Sequence, residues 1–367
     1  MHIIHVYRTY FEDRTGIPTV INTLTNSIDE PDIKQEVLFL AENPQQIPKY
    51  YDGAILRPFK RELSFSSTDM TFTQFFKIRN ALKKADIIHY HFPWPFMDLL
   101  HLSLLGSKPK TIVTYHSDIV KQKHLNVVYK PLMSAFLNNM DHIIATSDNY
   151  LNSSQVLQSY REKTSVIPLG LADKNLTSPL PLESTRFSNI KKPFALFIGS
   201  LRYYKGLDYL IAAAEKMDFQ ILIAGSGKNQ SNLEALTHCN APNVVFLGEV
   251  SEDEKAALLH ACRVVVFPSH VRSEAYGLTL VEACMFGKPM ISCEIGTGTS
   301  YVNQHEETGL VIPPADTDAL RLAIERLMDN SDLAEKMGLA ARARFLKHLT
   351  AEKMAKSYLS LYKKLIP

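Results

Sequence analysis

The chain has 367 residues, 46% of them hydrophobic, with a formal net charge of +2; that length accommodates two domains, and the near-neutral balance excludes a general nucleic-acid binder. The cysteines Cys239, Cys262, Cys284 and Cys293 all lie late in the chain and form no CxxC pair, which predicts free thiols in a reducing compartment and excludes a disulfide framework. Residues 1–10 carry Arg8 and read as a strand rather than a signal segment, and no apolar run is long enough to span a bilayer; the expectation is a cytoplasmic protein, alone or in peripheral contact with the inner membrane.

In chain order, His2–Tyr7 is a short apolar strand, and Ile17, Val20, Ile21, Leu24 and Ile28 have helical spacing. Strand, Gly16-containing loop and helix begin a doubly wound α/β unit, and Gly16 lets the backbone come close to a ligand. Val37–Leu40 is a second strand. Residues 42–72 read as irregular; their Arg57, Lys60 and Arg61, with Phe59, Leu63 and Phe65, suit either an anionic membrane surface or plain solvent. A helix over 72–85, a strand over 86–90 and the only tryptophan follow, Trp94 being either an acceptor contact or a loop anchor. Residues 111–115 form a buried strand ending in His116-Ser117-Asp118, and 119–138 interleave lysines with apolar residues. Strands over 141–147 and 165–169 complete a first domain, 1–170. Residues 171–192, polar and with Pro179 and Pro181, read as a linker.

A second doubly wound domain, 193–350, opens with the strand Phe194–Ile198, then Gly199-Ser200-Leu201-Arg202-Tyr203-Tyr204-Lys205-Gly206 and a helix from Leu207. Gly199 lets the chain turn, and Arg202 and Lys205 place fixed positive charge beside it. The strand 220–224 precedes Gly225-Ser226-Gly227, a tight turn, and 244–247 precedes Gly248-Glu249-Val250-Ser251. Val264–Phe267 is a buried strand stopped by Pro268; after a polar loop, Gly277 opens a helix that ends at Gly287 and Pro289. This strand, loop and helix N-terminus leaves backbone amides at the positive end of a helix dipole, a fitting place for a diphosphate, bracketed by Glu274 and Glu282. Asp316-x-Asp318 is read as a helix N-cap with a first-turn acid rather than a metal motif.

The Glu-x7-Glu pair Glu274 and Glu282, set within Phe-Pro-Ser…Glu-x-Tyr-Gly-Leu…Glu-Ala…Gly-Lys-Pro, resembles the signature of retaining nucleotide-sugar glycosyltransferases of family GT4. The resemblance implies a GT-B fold: two Rossmann-like domains facing across a cleft, the first completed by a C-terminal helix over about 351–367. It implies that His116 orients the donor sugar and that Glu274 holds its hydroxyls. Glu282 would hold the ribose. Gly16, Gly199, Arg202, Lys205, Gly225, Val250, Tyr276, Gly277, Leu278 and Thr279 would line the nucleotide-sugar site. Two departures stand out: Thr15 where many relatives have a second glycine, and Ser200 in the usual arginine slot. Helix amides and cations would absorb the leaving charge without a metal or other cofactor. Gly296-Thr297-Gly298-Thr299-Ser300 resembles the bacterial O-polysaccharide mannosyltransferases. The implied reaction is mannosyl transfer from GDP-mannose to a lipid-linked or oligosaccharide acceptor. A UDP-sugar donor is the alternative; a phosphorylase, an epimerase or an inactive nucleotide-binding subunit is more remote.

Overall fold

Apolar runs such as Phe-Ala-Leu-Phe-Ile and Val-Val-Val-Phe are buried on both faces, the pattern of parallel strands covered by helices. The computed structural model describes residues 1–11, 16–65, 68–104, 109–119, 123–176, 180–227 and 229–366. It divides into two units, Met1–Gly170 with Ala351–Pro367, and Leu171–Thr350.

The first unit contains β1 (His2–Val6), β2 (Lys34–Ala41), β3 (Tyr50–Tyr51), β4 (Ala54–Lys60), β5 (Leu63–Phe65), β6 (Thr68–Met70), β7 (Ile87–Phe92), β8 (Lys110–Tyr115), β9 (His142–Ala145) and β10 (Thr164–Val166). Eight of them form one sheet in the order β10-β9-β8-β7-β1-β2-β4-β3. Its pairings are parallel except the short β3–β4 edge. The order reverses between β1 and β7, so the loops at their carboxyl ends open at the switch point, where such sheets bind ligands. The helix Ala351–Leu365 returns to this unit, its Tyr358 and Tyr362 wholly buried.

The second unit contains β11 (Phe194–Ile198), β12 (Gln220–Ala224), β13 (Val244–Gly248), β14 (Val264–Phe267), β15 (Met290–Cys293) and β16 (Gly309–Ile312), in the order β13-β12-β11-β14-β15-β16. All are parallel, and the switch point falls between β11 and β14. Helices such as Leu207–Ala214 and Thr317–Asp329 supply Leu210, Ile211, Ile324 and Leu327 to its core.

Several expectations change. Residues 42–72 are largely ordered: β4 pairs with β2 in parallel and β5 with β6 as a hairpin. Pro58 and the two cations Arg57 and Lys60 hid the strand, which lies one position from the sheet edge. Arg57 is tied to the buried carboxylate of Glu36 at 2.6 Å, while Lys60 and Arg61 are held by Glu42. Trp94 is 1% exposed and donates its indole N–H to the Asp69 carbonyl at 2.8 Å, which makes it a loop anchor. Residues 171–192, read as a linker, fall in the second unit; Leu182 and Phe187 are buried, and Asp173 pairs with Arg342 at 2.6 Å. Cys262, Cys284 and Cys293 are buried free thiols. The Asp316 side chain accepts the Ala319 amide at 2.9 Å, as an N-cap does.

Candidate active site

The loops after β11 and β14 meet at the second unit's switch point. After β11 the chain passes Gly199 and makes a short 3-10 turn, Tyr203–Lys205, that turns Lys205 inward. Lys205 is 8% exposed, and its ammonium lies 4.5 Å from the Phe267 ring centre. The turn closes on Gly206, whose φ of 69° is left-handed; a Cβ there would stand 2.1 Å from the Pro268 carbonyl oxygen. Only glycine lets the two loops approach so closely.

Across that contact, Lys205 Nζ donates to Glu274 Oε2 at 2.5 Å, and the Ser269 hydroxyl donates to the same oxygen at 3.2 Å. Both protein contacts fall on Oε2; among the described residues Oε1 has no partner. The helix Leu278–Met285 begins three residues beyond Ala275, with left-handed Gly277 as its N-cap and no side-chain cap. The Leu280 amide turns back to the Gly277 carbonyl, leaving Leu278 and Thr279 as the helix-start amides that no side chain caps. A cation, a carboxylate oxygen and a positive helix end therefore converge on one strand edge. That combination suits a phosphate with a neighbouring hydroxyl.

The remaining expected residues are distributed around this core. Glu282 lies one turn into the helix, where Lys255 donates to its Oε1 at 2.6 Å. Burial would lower the Lys255 ammonium, but the carboxylates of Glu282 and Glu252 outweigh it and hold it above its ordinary value. The Thr279 hydroxyl donates to the Ile198 carbonyl at 3.3 Å, so its amide is the donor that remains for a ligand. Gly225 donates its amide to the Gly248 carbonyl at 2.7 Å, and Val250 is half-buried just beyond β13. Tyr276 is buried against Gly298 and Tyr301. Arg202 is exposed and makes no ion pair among the described residues. Ser269 stands in the Phe-Pro-Ser of the motif without an expected role, and Lys255 and Arg272, which donates to the Gly296 carbonyl at 2.9 Å, were not singled out in the sequence. A polar side chain in a loop or on a helix face carries no pattern that announces its partner.

In the first unit, Gly16 is the N-cap of the helix Ile17–Ser27, with φ 64° and nothing within 4 Å of a would-be Cβ. Thr15 lies outside the described residues. His116 follows β8 and is 6% exposed; its Nε2 is 3.0 Å from His91 Nδ1. Burial pushes its imidazolium down to about 3, so it is neutral at physiological pH.

Residues 14–174 match the family described as Glycosyltransferase Family 4, and residues 183–344 match Glycosyl transferases group 1. The chain is 43% identical to the D-rhamnosyltransferase WbpZ of Pseudomonas aeruginosa, over 96% of this chain and 93% of that one. The chain belongs to the group 1, family 4 glycosyltransferases. It is also 40% identical to the O-antigen chain mannosyltransferase C of Escherichia coli, over 100% of this chain and 99% of that one. Its fold is that of sucrose-phosphate synthase from Thermosynechococcus elongatus, with a TM-score of 0.81 at 22% identity over 99% and 98% of the two chains. The Anabaena protein HepE in complex with UDP gives 0.80 at 17% identity, over 99% and 100%. This glycosyltransferase therefore has the GT-B fold, each unit being a Rossmann-like α/β sheet. No helix among the described residues is long and apolar enough to cross a membrane.

Proposed function

We propose that this glycosyltransferase moves mannose from GDP-mannose, with retention at the anomeric carbon, onto a lipid-linked or oligosaccharide acceptor of a bacterial surface polysaccharide. The observation that carries the nucleotide-sugar half is the Lys205–Glu274 pair beside the uncapped helix start at Gly277. The mannose half draws on the full-length likeness to the E. coli mannosyltransferase. The chemical difficulty is departure of a nucleoside diphosphate from an oxocarbenium-like centre. Lys205, Arg202 and the amides of Leu278 and Thr279 take up the growing negative charge. Glu274 accepts a sugar hydroxyl on Oε1, Glu282 a ribose hydroxyl, and His116 orients the sugar. As the family resemblance implies, the acceptor attacks from the face the nucleotide leaves. With these cations at the leaving group, no divalent metal is required.

A second reading is favoured by the likeness to WbpZ: the donor carries D-rhamnose, which is 6-deoxy-D-mannose. The test is a turnover screen of GDP-mannose, GDP-D-rhamnose and UDP-hexoses, each with and without chelator, on a saccharide-lipid acceptor. Turnover of GDP-mannose unaffected by EDTA is expected. Preference for a UDP-hexose overturns the donor, and loss of activity in EDTA overturns the metal-free step. We also propose peripheral contact with an anionic membrane through the first unit, where Phe72 and Phe76 are 65% and 70% exposed near Lys77. Co-sedimentation with phosphatidylglycerol vesicles, abolished by Phe72→Ser with Phe76→Ser, is the expected result; equal sedimentation of wild type and variant discards it.

A further inference from the structure

The two glutamates of the site are held in the same way. Each gives one carboxylate oxygen to a lysine: Glu274 Oε2 takes Lys205 at 2.5 Å, and Glu282 Oε1 takes Lys255 at 2.6 Å. Lys205 comes from the loop after β11. Lys255 comes from the first turn of the helix Glu252–Ala261, which opens just beyond β13. That turn is firmly set. The Ser251 hydroxyl accepts the Glu254 amide at 3.2 Å, the Glu254 carboxylate accepts the Ser251 amide at 2.9 Å, and Arg186 donates to Glu254 at 2.8 Å. The helix that carries Glu282 is pinned at its far end, where Arg342 donates to the Met285 carbonyl at 2.8 Å and to the two Asp173 oxygens at 3.0 and 2.6 Å.

Between these two anchored helices the Lys255 ammonium sits on two carboxylates, Glu282 Oε1 at 2.6 Å and Glu252 Oε1 at 2.9 Å. The Lys255 and Glu282 side chains are each 18% exposed, whereas Glu252 and its outer partner Lys174 are exposed. Exposed pairs contribute little, so the inner contact is the one with a consequence. Glu282 Oε2 takes no hydrogen bond among the described residues, and it is not one of the unpartnered atoms closed off in the core. Without the ammonium, the Glu252 and Glu282 carboxylates would face each other, and Glu282 would turn away or take up a proton.

We infer that Lys255 is a positioning residue for the donor's ribose: by holding Oε1 of an ionised Glu282 it presents Oε2 to the ribose hydroxyls. An ionised carboxylate only accepts hydrogen bonds, and the ribose hydroxyls are donors that a dideoxyribose lacks. The site then divides its work between two lysine–glutamate pairs. Lys205 and Glu274 serve the reacting end, Lys255 and Glu282 the nucleoside end. Lys255 acts through Glu282 and touches neither sugar nor phosphate. The inference rests on the nucleotide-sugar reading of the site. The ribose is held alike before and during reaction, so Lys255 governs donor binding rather than the chemical step.

The test is calorimetric titration of the whole protein with GDP, UDP and the 2′,3′-dideoxy form of each. The wild type is expected to bind the ribonucleotide of its preferred base about tenfold more tightly than the dideoxy form. Lys255→Met is expected to bind the two within about twofold of each other, the loss falling on the ribonucleotide alone. Its donor KM should rise about tenfold with kcat within about threefold. If Lys255→Met does not fold, Lys255→Met with Glu252→Gln, which relieves the exposed pair of carboxylates, is read in its place. A variant that keeps the wild-type preference for ribose, or that loses both nucleotides equally, overturns the role of Lys255 and leaves the nucleotide-sugar reading standing. Equal binding of the ribose and dideoxy forms by the wild type overturns the inference without any variant. A wild type that binds neither GDP nor UDP overturns the nucleotide-sugar reading and the inference with it.

Discussion

Lys205 and Glu274 share a single carboxylate oxygen in a pocket that leaves their side chains 10% and 12% exposed. On the proposed function, a bound diphosphate would compete with Glu274 for that ammonium. Lys205→Met and Glu274→Gln are each expected to lower kcat by about 10²–10³-fold, the scale of losing one charge-stabilising donor. Circular dichroism and steady-state rates check this; rates within a few-fold of wild type in both variants remove the pair from the reaction. At this scale the sequence is informative only where chemistry and motif coincide. Glu274, Lys205 and Gly277 stand at fixed offsets from apolar strands, so they can be read before any coordinates. Lys255 reaches Glu282 from a helix 27 positions away, so it leaves no periodic trace.

Elements repeat the lesson. The strands β11, β12 and β14 announce themselves because both faces are buried and their apolar runs are unbroken. β4 does not, since Pro58 and Arg57 interrupt it, and its partner cations sit on Glu36 and Glu42. The helix Pro95–Leu102 follows a Trp-Pro step that reads as loop, yet proline suits a first helical turn. β7 was legible as a strand, but its inward histidines carry a consequence for stability. Burial pushes His5 from 6.5 to about 4 and His116 to about 3, with His89 and His91 also far below the ordinary value. The unfolded chain binds protons near pH 6.5 and the folded sheet does not, so the unfolded state is favoured as pH falls. Stability is full above about pH 6.5 and falls by about 1.4 kcal/mol per pH unit for each such histidine until its folded pKa is reached. Urea midpoints between pH 7 and 5 should drop steeply. A flat profile would mean that the ring cluster takes up protons while folded.

At the scale of the molecule, the chain leaves the first unit at Gly170 and comes back at Ala351. The returning helix buries Ala351, Met354, Ala355, Tyr358 and Tyr362, and its two tyrosine hydroxyls meet His89 and Thr114. Stopping the chain after Thr350 would therefore remove five buried side chains and take the tyrosine hydroxyls away from His89 Nδ1 and the Thr114 hydroxyl. The truncated protein is expected to lose the melting transition of the first unit while residues 171–350 stay resistant to protease. Two intact transitions would show that the helix is dispensable. The same return sets an order of events during synthesis. At about 5–20 residues per second, the 171–350 insert takes about 10–40 s to be made. For that interval the imidazole-lined sheet has left the ribosome without its cover. The nascent first unit must wait, shielded or incomplete, for its own last helix, which makes that half of the protein the natural client of a chaperone.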